Sequence, residues 1–239
     1  MAKPAAALRR VAVRHGEMRG QFITFEGGEG TGKSTHAALL AQRLRALGIG
    51  VVRTREPGGS PGAEIIRHVL LSGAAKALGP TAEAILFAAA RDDHVRTTIA
   101  PALARGQWVI CDRFIDSTRV YQGMVGEVDP LLIRGLERVT IGDLKPDLTF
   151  VLDVPTDIGL ARAAKRRGEE AADRFEGETF EFHERLRDAF LQVGVSEPDR
   201  CVLIDARAPR SEVAQVIWNL VSQRLDRATA PLELEHVAS

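Results

Sequence analysis

The sequence predicts a doubly wound α/β domain, a five-stranded parallel sheet flanked by helices. Short apolar runs recur along the chain, most of them ending in a charged residue. Segments of helical periodicity separate these runs. A glycine-rich turn follows the first run and opens the first helix.

The elements follow in order. Residues 21–26 alternate β-branched, aromatic and polar side chains and read as a strand. Residues 33–47 read as a helix that Gly48 and Gly50 close, with the next strand at 50–54. A Gly/Pro loop at 57–62 precedes helical patterns over 63–71 and 81–104. Residues 107–112 form a compact apolar run ending in Asp112, a buried strand. A helix is predicted over 130–140, a strand over 148–153, and helices over 156–167 and 178–193. A fifth strand spans 200–205, and a last helix covers 210–225. Strands linked by helices must run parallel, because each crossover returns the chain to the same end of the sheet. In such sheets ligands bind at the carboxyl ends of the strands. Glu26, Arg55, Asp112, Arg113 and Asp153 sit at those ends.

Composition narrows the function classes. The chain has 239 residues, 45% of them apolar, enough for a substantial core. Lys plus Arg number 32 and Asp plus Glu number 32, so no basic excess points to bulk nucleic-acid binding. No apolar run reaches the roughly 18 to 20 residues of a membrane span. Cys111 and Cys201 lie far apart in apolar stretches, which predicts buried reduced thiols and a cytoplasmic setting. Residues 1–19 carry Lys3, Arg9, Arg10, Arg14 and Arg19 against Glu17 alone, with no serine or threonine. They are expected to be a flexible extension, or to precede a true start at Met18. The main domain is expected over 20–227, and residues 228–239 as a flexible tail.

The strongest motif is Gly27-Gly-Glu-Gly-Thr-Gly-Lys-Ser34, a full G-x-x-x-x-G-K-[ST] P-loop between strand and helix. Gly27, Gly28, Glu29, Gly30, Thr31, Gly32, Lys33, Ser34 and Thr35 are the candidate ATP-binding residues. The glycines let backbone N–H groups converge on phosphate oxygens, and the helix N-terminus adds its dipole. Lys33 is expected on the β- and γ-phosphates and the Ser34 hydroxyl on Mg2+. The competing reading is a chance glycine-rich turn. Arg55 and Arg113, at the ends of the second and third strands, can hold a second anion facing the P-loop. That suggests an acceptor with its own phosphate; the alternative is a pair of surface ion pairs.

At these residues the chain resembles the thymidylate kinase family. The motifs that carry the resemblance stand in order. They are Phe25 to Thr35, Thr54-Arg-Glu-Pro-Gly-Gly59, Phe87-Ala-Ala-Ala-Arg91, Asp112-Arg-Phe114 with Tyr121-Gln-Gly123, Pro146-Asp-Leu-Thr149 with Leu152-Asp153, and Asp173-Arg-Phe-Glu176. The resemblance implies the P-loop nucleoside-monophosphate kinase architecture, transfer of the γ-phosphoryl group of ATP to dTMP, and a homodimer. It implies that Phe87 stacks on thymine and Arg91 hydrogen-bonds it; taken alone, Phe87 is equally a core aromatic. It further implies that Arg55 and Arg113 hold the dTMP phosphate. Ser117 and Thr118 would lie near the base, and Tyr121 and Gln122 beside the sugar and phosphate. Glu29 would lie near the acceptor sugar and metal, and Asp112 would support Mg2+ through water. The family often has alanines where Arg119 and Val120 stand; Arg119 is expected to face solvent.

Residues 162–178 resemble the family's mobile lid. The P-loop holds no arginine, so the resemblance implies that the catalytic cations come from the lid. Arg162, Arg166 and Arg167 are the candidates, with Arg166 and Arg167 equal; a solvated charge run is the alternative. The end of the last strand, Ile204 to Arg207, lies where the family packs adenine; an ordinary loop turned by Asp205 is the alternative. A kinase for another nucleotide or metabolite would lack the Phe87/Arg91 pair and Tyr121-Gln-Gly123. A GTP-driven switch would carry an Asn-Lys-x-Asp sequence, which is absent here.

Overall fold

The computed structural model describes residues 20–168 and 174–229, with side chains up to residue 225. The expectations for residues 1–19, 169–173 and 230–239 lie outside the described residues. The sheet is built from β1 (Phe22–Glu26), β2 (Val51–Arg55), β3 (Trp108–Asp112), β4 (Leu148–Asp153) and β5 (Cys201–Asp205). All neighbours pair in parallel, in the order β2-β3-β1-β4-β5.

The central strand explains the layers. β1 is buried along its whole length. Ile23 and Phe25 face a core shared with α1 (Lys33–Ala46), β4 and α9 (Arg210–Thr229). Phe22 faces the opposite core, with Val95, Ile99, Leu103 and Phe114. A strand covered on both faces reads as a nearly continuous apolar run, and β1 does. Phe25 packs against Phe150 with ring centroids 5.3 Å apart. Burying each such ring contributes about 1.5–3 kcal/mol.

The helices largely follow the periodicity. α2 (Pro61–Leu71) begins two residues before the expected 63, because Pro61 has the fixed φ that suits a first helical position. The pattern over 81–104 is not one regular helix. α3 (Gly79–His94) passes through a π-helical turn, Val95–Ile99, into α4 (Ala100–Ala104). Pro101 has no N–H to donate, and the helix widens just before it. α6 (Pro130–Ile141), α7 (Thr156–Arg167) and α8 (Phe180–Ser196) lie close to their predicted spans. α9 runs to Thr229, past the expected end at 225. Cys111 and Cys201 are buried free thiols, as read from their apolar surroundings.

The sequence shows no helix between Phe114 and Val125, yet α5 (Ile115–Thr118) continues there into a π-helical stretch, Arg119–Val125. β-Branched residues and Gly123 give this segment weak intrinsic helicity. Long-range ion pairs stabilise it instead. Fully buried Asp116 accepts from Arg200 Nη1 and Nη2 at 2.8 and 2.7 Å, and from Arg119 Nη1 at 3.2 Å. Arg119, expected to face solvent, instead grips Glu137 through Nε and Nη2 at 2.6 and 2.7 Å and also donates to Glu197. It therefore joins α5 to α6 and to the residue after α8. Removing one partner of a buried network leaves an uncompensated charge. Asp116→Ala is expected to destabilise the fold by about 3–5 kcal/mol in urea unfolding. A loss under about 1 kcal/mol would deny the network its role.

Candidate active site

The carboxyl ends of β1, β2 and β3 open into a cleft of about 350 Å³. Glu29, Gly30, Gly32, Lys33, Ser34 and Thr35 line one side. Arg55, Phe87, Arg91, Asp112, Arg113, Ser117, Thr118, Tyr121, Gln122 and Arg166 line the remainder. The residues singled out in the sequence thus converge, with exceptions. Gly28 and Thr31 face a smaller cavity behind the loop, Gly27 contributes its carbonyl, and Arg167 does not line the cleft.

The loop is locked by close backbone packing. Gly30 has φ +67°, and a Cβ there would sit 1.9 Å from the Gly159 carbonyl oxygen of α7. No side chain fits, so only glycine lets α7 close on the loop. Lys33 Nζ donates to the Gly28 carbonyl at 2.6 Å and to Thr31 Oγ1 at 3.4 Å. Burial, then the Arg113 guanidinium, pushes the Lys33 ammonium down to about 8, with Glu29 opposing. Ser34 Oγ donates to Asp112 Oδ2 across the cleft floor. This hydroxyl–carboxylate pair is an oxygen donor set suited to Mg2+. Among the described residues no group of three or more His, Cys, Asp or Glu could hold a metal ion by themselves.

Arg113 organises the opposite wall. Its backbone lies at φ +68°, uncommon for a residue with a Cβ, and its N–H bonds the Phe25 carbonyl at 2.9 Å. The guanidinium donates to Glu29 Oε1 at 2.6 Å, the Gly27 carbonyl at 3.1 Å and Ser117 Oγ at 3.2 Å. It lies 5.2 Å from the Tyr121 ring centroid, and the Tyr121 hydroxyl donates to Glu29 at 3.1 Å. Burial alone would raise the Glu29 carboxyl, but Arg113 and then Lys33 lower it to about 2. Glu29 is therefore a fixed anion that holds Arg113.

Arg55 pairs with Glu64 at 3.1 Å, and both are well exposed. Such a pair is worth about 0–1 kcal/mol, so an incoming anion can displace it. Phe87 meets Phe175 with centroids 6.1 Å apart, leaving an apolar wall in the cleft. Arg91 has much of its capacity committed. Its Nε donates to Glu56 at 2.8 Å, and Nη2 donates to Thr118 Oγ1 at 2.9 Å and the Phe114 carbonyl at 3.2 Å. Nη1 is the remaining donor group. Ser117 and Thr118 hold protein side chains in place; Ser117 Oγ donates to Glu26 at 2.7 Å. Arg166 and Arg167 both bond the Glu176 carboxylate, at 2.6 and 2.9 Å. Arg162 points elsewhere, to the Ala206 and Arg207 carbonyls at 3.0 and 3.5 Å, so it is tied to the loop after β5. In that loop Arg207 pairs with Asp205, both exposed.

Sequence reasoning noticed Glu26 only as a strand end. Here it is fully buried and accepts from the Phe114 N–H and Ser117 Oγ, both at 2.7 Å. Burial, and then the Asp116 carboxylate, pushes its carboxyl up. Glu56 and His94 were missed as supports. Glu56 stood inside a quoted motif, but nothing local says that its carboxylate turns inward.

Comparisons with known proteins show the family and the fold. A family profile described as thymidylate kinase matches residues 25–217. A thymidylate kinase of Bradyrhizobium sp. strain ORS 278 is 59% identical over 219 residues, covering 92% of this chain and 97% of its own. One from Rhodopseudomonas palustris strain BisB18 is 62% identical over 208 residues, covering 87% and 90%. The crystal structure of thymidylate kinase from Ehrlichia chaffeensis is similar with a TM-score of 0.67 and 35% identity, covering 85% of this chain and 99% of its own.

The depressed Lys33 ammonium has a measurable consequence. Below about pH 8 it is charged and ready for phosphate; above that it loses its proton. Calorimetric titration with ATP is expected to show level affinity from pH 7 to 8 and then a fall approaching tenfold per unit, as for one required proton. Affinity that stays level to pH 10 would contradict the depressed Lys33 ammonium.

Proposed function

The chain belongs to the thymidylate kinase family, and we propose that its cleft holds ATP on the P-loop side and dTMP against Arg55, Phe87, Arg91 and Arg113. It transfers the γ-phosphoryl group of ATP to dTMP, giving dTDP and ADP for dTTP synthesis. The observation that carries this reading is one cleft that joins a complete P-loop to an apolar ring wall and separate cations. A donor triphosphate needs the first, and a nucleoside monophosphate needs the other two.

Each residue then has a task. Backbone N–H groups of the loop receive phosphate oxygens, and Lys33 exchanges the Gly28 carbonyl for the β- and γ-phosphates. Arg113 and Arg55 grip the acceptor phosphate. Phe87 stacks on thymine while Arg91, held by its other nitrogens, offers Nη1 to the base. Tyr121, fixed by Glu29, crowds the position of a ribose 2′-hydroxyl, and Gln122 stands beside it. Arg166 and Arg167 leave Glu176 for the transferring group when the lid over 162–178 closes on the kinase domain, 20–227. Ser34 and Asp112 would hold Mg2+, which when bound neutralises charge on the donor phosphates. The acceptor is already an anion, so no strong base is required. Alignment and fixed cations supply the rate, and exclusion of water prevents hydrolysis of ATP.

The same reading extends to assembly and setting. Ile65 on α2, Ile85 on α3 and Leu131 on α6 are exposed large apolar side chains on helices that pack together, which supports a homodimer through these helices. Equal acidic and basic counts support small-molecule partners over nucleic acid. No single helix among the described residues is long and apolar enough to cross a membrane. The buried thiols support a reducing cytoplasm.

ADP release measured with dTMP, dUMP, UMP, AMP and GMP is expected to be fastest with dTMP. Equal or faster release with AMP or GMP contradicts the reading. Arg113→Ala is expected to raise the KM for dTMP or lower its turnover by about a hundredfold, with ATP affinity falling far less. The reverse pattern would move Arg113 out of the acceptor site.

A further inference from the structure

A buried chain of side chains runs beneath the acceptor side of the cleft. Thr54 Oγ1 meets His94 Nε2 at 2.7 Å, and His94 Nδ1 meets Glu56 Oε1 at 3.0 Å. The other Glu56 oxygen accepts from Arg91 Nε at 2.8 Å. His94 is fully buried, and Glu56 and Arg91 are nearly so. A carboxylate only accepts, so Nδ1–H donates to Glu56, while Nε2 and the Thr54 hydroxyl share the second bond. Each Glu56 oxygen thus has one side-chain donor, and the two donors come from one face of α3, three residues apart.

The same helix and the π-helical turn that continues it hold the loop after Arg55. Asp93 accepts from Ser60 Oγ and from the Gly62 and Ala63 N–H groups at 2.7, 3.0 and 3.1 Å. Thr98 donates to the Gly59 carbonyl at 2.9 Å. Gly59 lies at φ +85°, and a Cβ there would come within 2.3 Å of Thr54 Oγ1 and 2.4 Å of His94 Nε2. The loop therefore rests directly on the imidazole.

We propose that His94 is a positioning residue for the acceptor. By orienting Glu56 it sets the angle at which Arg91 meets the base; the packing of its ring under Gly59 contributes to stability. A buried carboxylate with one donor removed can turn toward its remaining partner, and Arg91 turns with it. The inference rests on the role given to Arg91 above.

Two substitutions separate positioning from simple stability. In His94→Asn the amide nitrogen takes the place of Nδ1, so Glu56 keeps its donor and Thr54 loses contact. In His94→Gln the amide reaches toward Thr54, and Glu56 loses its donor. Both remove the ring, so both lower Tm. The expected result is a dTMP KM within about threefold of wild type for His94→Asn and raised about tenfold for His94→Gln, with kcat and the ATP KM unchanged in each. Equal KM values in the two variants, or a dTMP KM that tracks Tm, would overturn the proposal. Arg91→Ala, measured alongside, separates the layers. An unchanged dTMP KM there sinks the base-reading role of Arg91 and the inference with it. A raised KM there, with indistinguishable Asn and Gln variants, sinks the role of His94 alone.

Discussion

The ion pair between Arg113 and Glu29 is the interaction on which the site depends. Arg113 stands at the end of β3 with a backbone at φ +68°. Such a conformation costs about 1–3 kcal/mol and persists only where surrounding contacts over-determine it. Here the N–H is bonded to β1, and the guanidinium reaches the Gly27 carbonyl, Ser117 and Glu29. The pair thus ties the P-loop to the third strand and to α5. Tyr121 completes it from the π-helical stretch. The P-loop and the wall facing it are set at a fixed distance by one short bond.

The cleft is also organised by how its cations rest. Lys33 lies on a backbone carbonyl, Arg113 on Glu29, Arg55 on Glu64, and Arg166 and Arg167 on Glu176. These contacts differ in strength by design of burial. The Arg55 pair is exposed and weak, whereas Glu29 is buried and held strongly anionic. Cations at exposed pairs can follow a phosphate readily; Arg113 can add a phosphate without leaving its acid, because its guanidinium carries five donors. The cleft therefore combines loosely held arginines with one that is tightly held.

The strands and most helices were legible in the sequence, since buried parallel strands are apolar runs and α1 has glycine at both ends. The P-loop was legible for the same local reason: only glycine tolerates the approach of Gly159 to Gly30. The segment from Ile115 to Val125 was not, because its helicity comes from Asp116 and Arg119 meeting residues remote in the chain. Arg119 showed the limit plainly. A cation in a polar stretch reads as solvated until Glu137 and Glu197 arrive from other elements. Arg162 and Arg166 are one helical turn apart, yet one faces the loop after β5 and the other faces the cleft. Periodicity places such residues near each other but does not say which neighbours each will find. Glu56 and His94 were hidden because their meaning lies in the pairing of β2 with α3.

A double-mutant cycle on Glu29→Gln and Arg113→Lys, read as kcat/KM for dTMP, tests the central pairing most directly. If the two residues set the geometry as a unit, the losses are strongly non-additive, with a coupling of at least about 1 kcal/mol. Additive losses would mean that each acts alone and that the bond between them is incidental to catalysis.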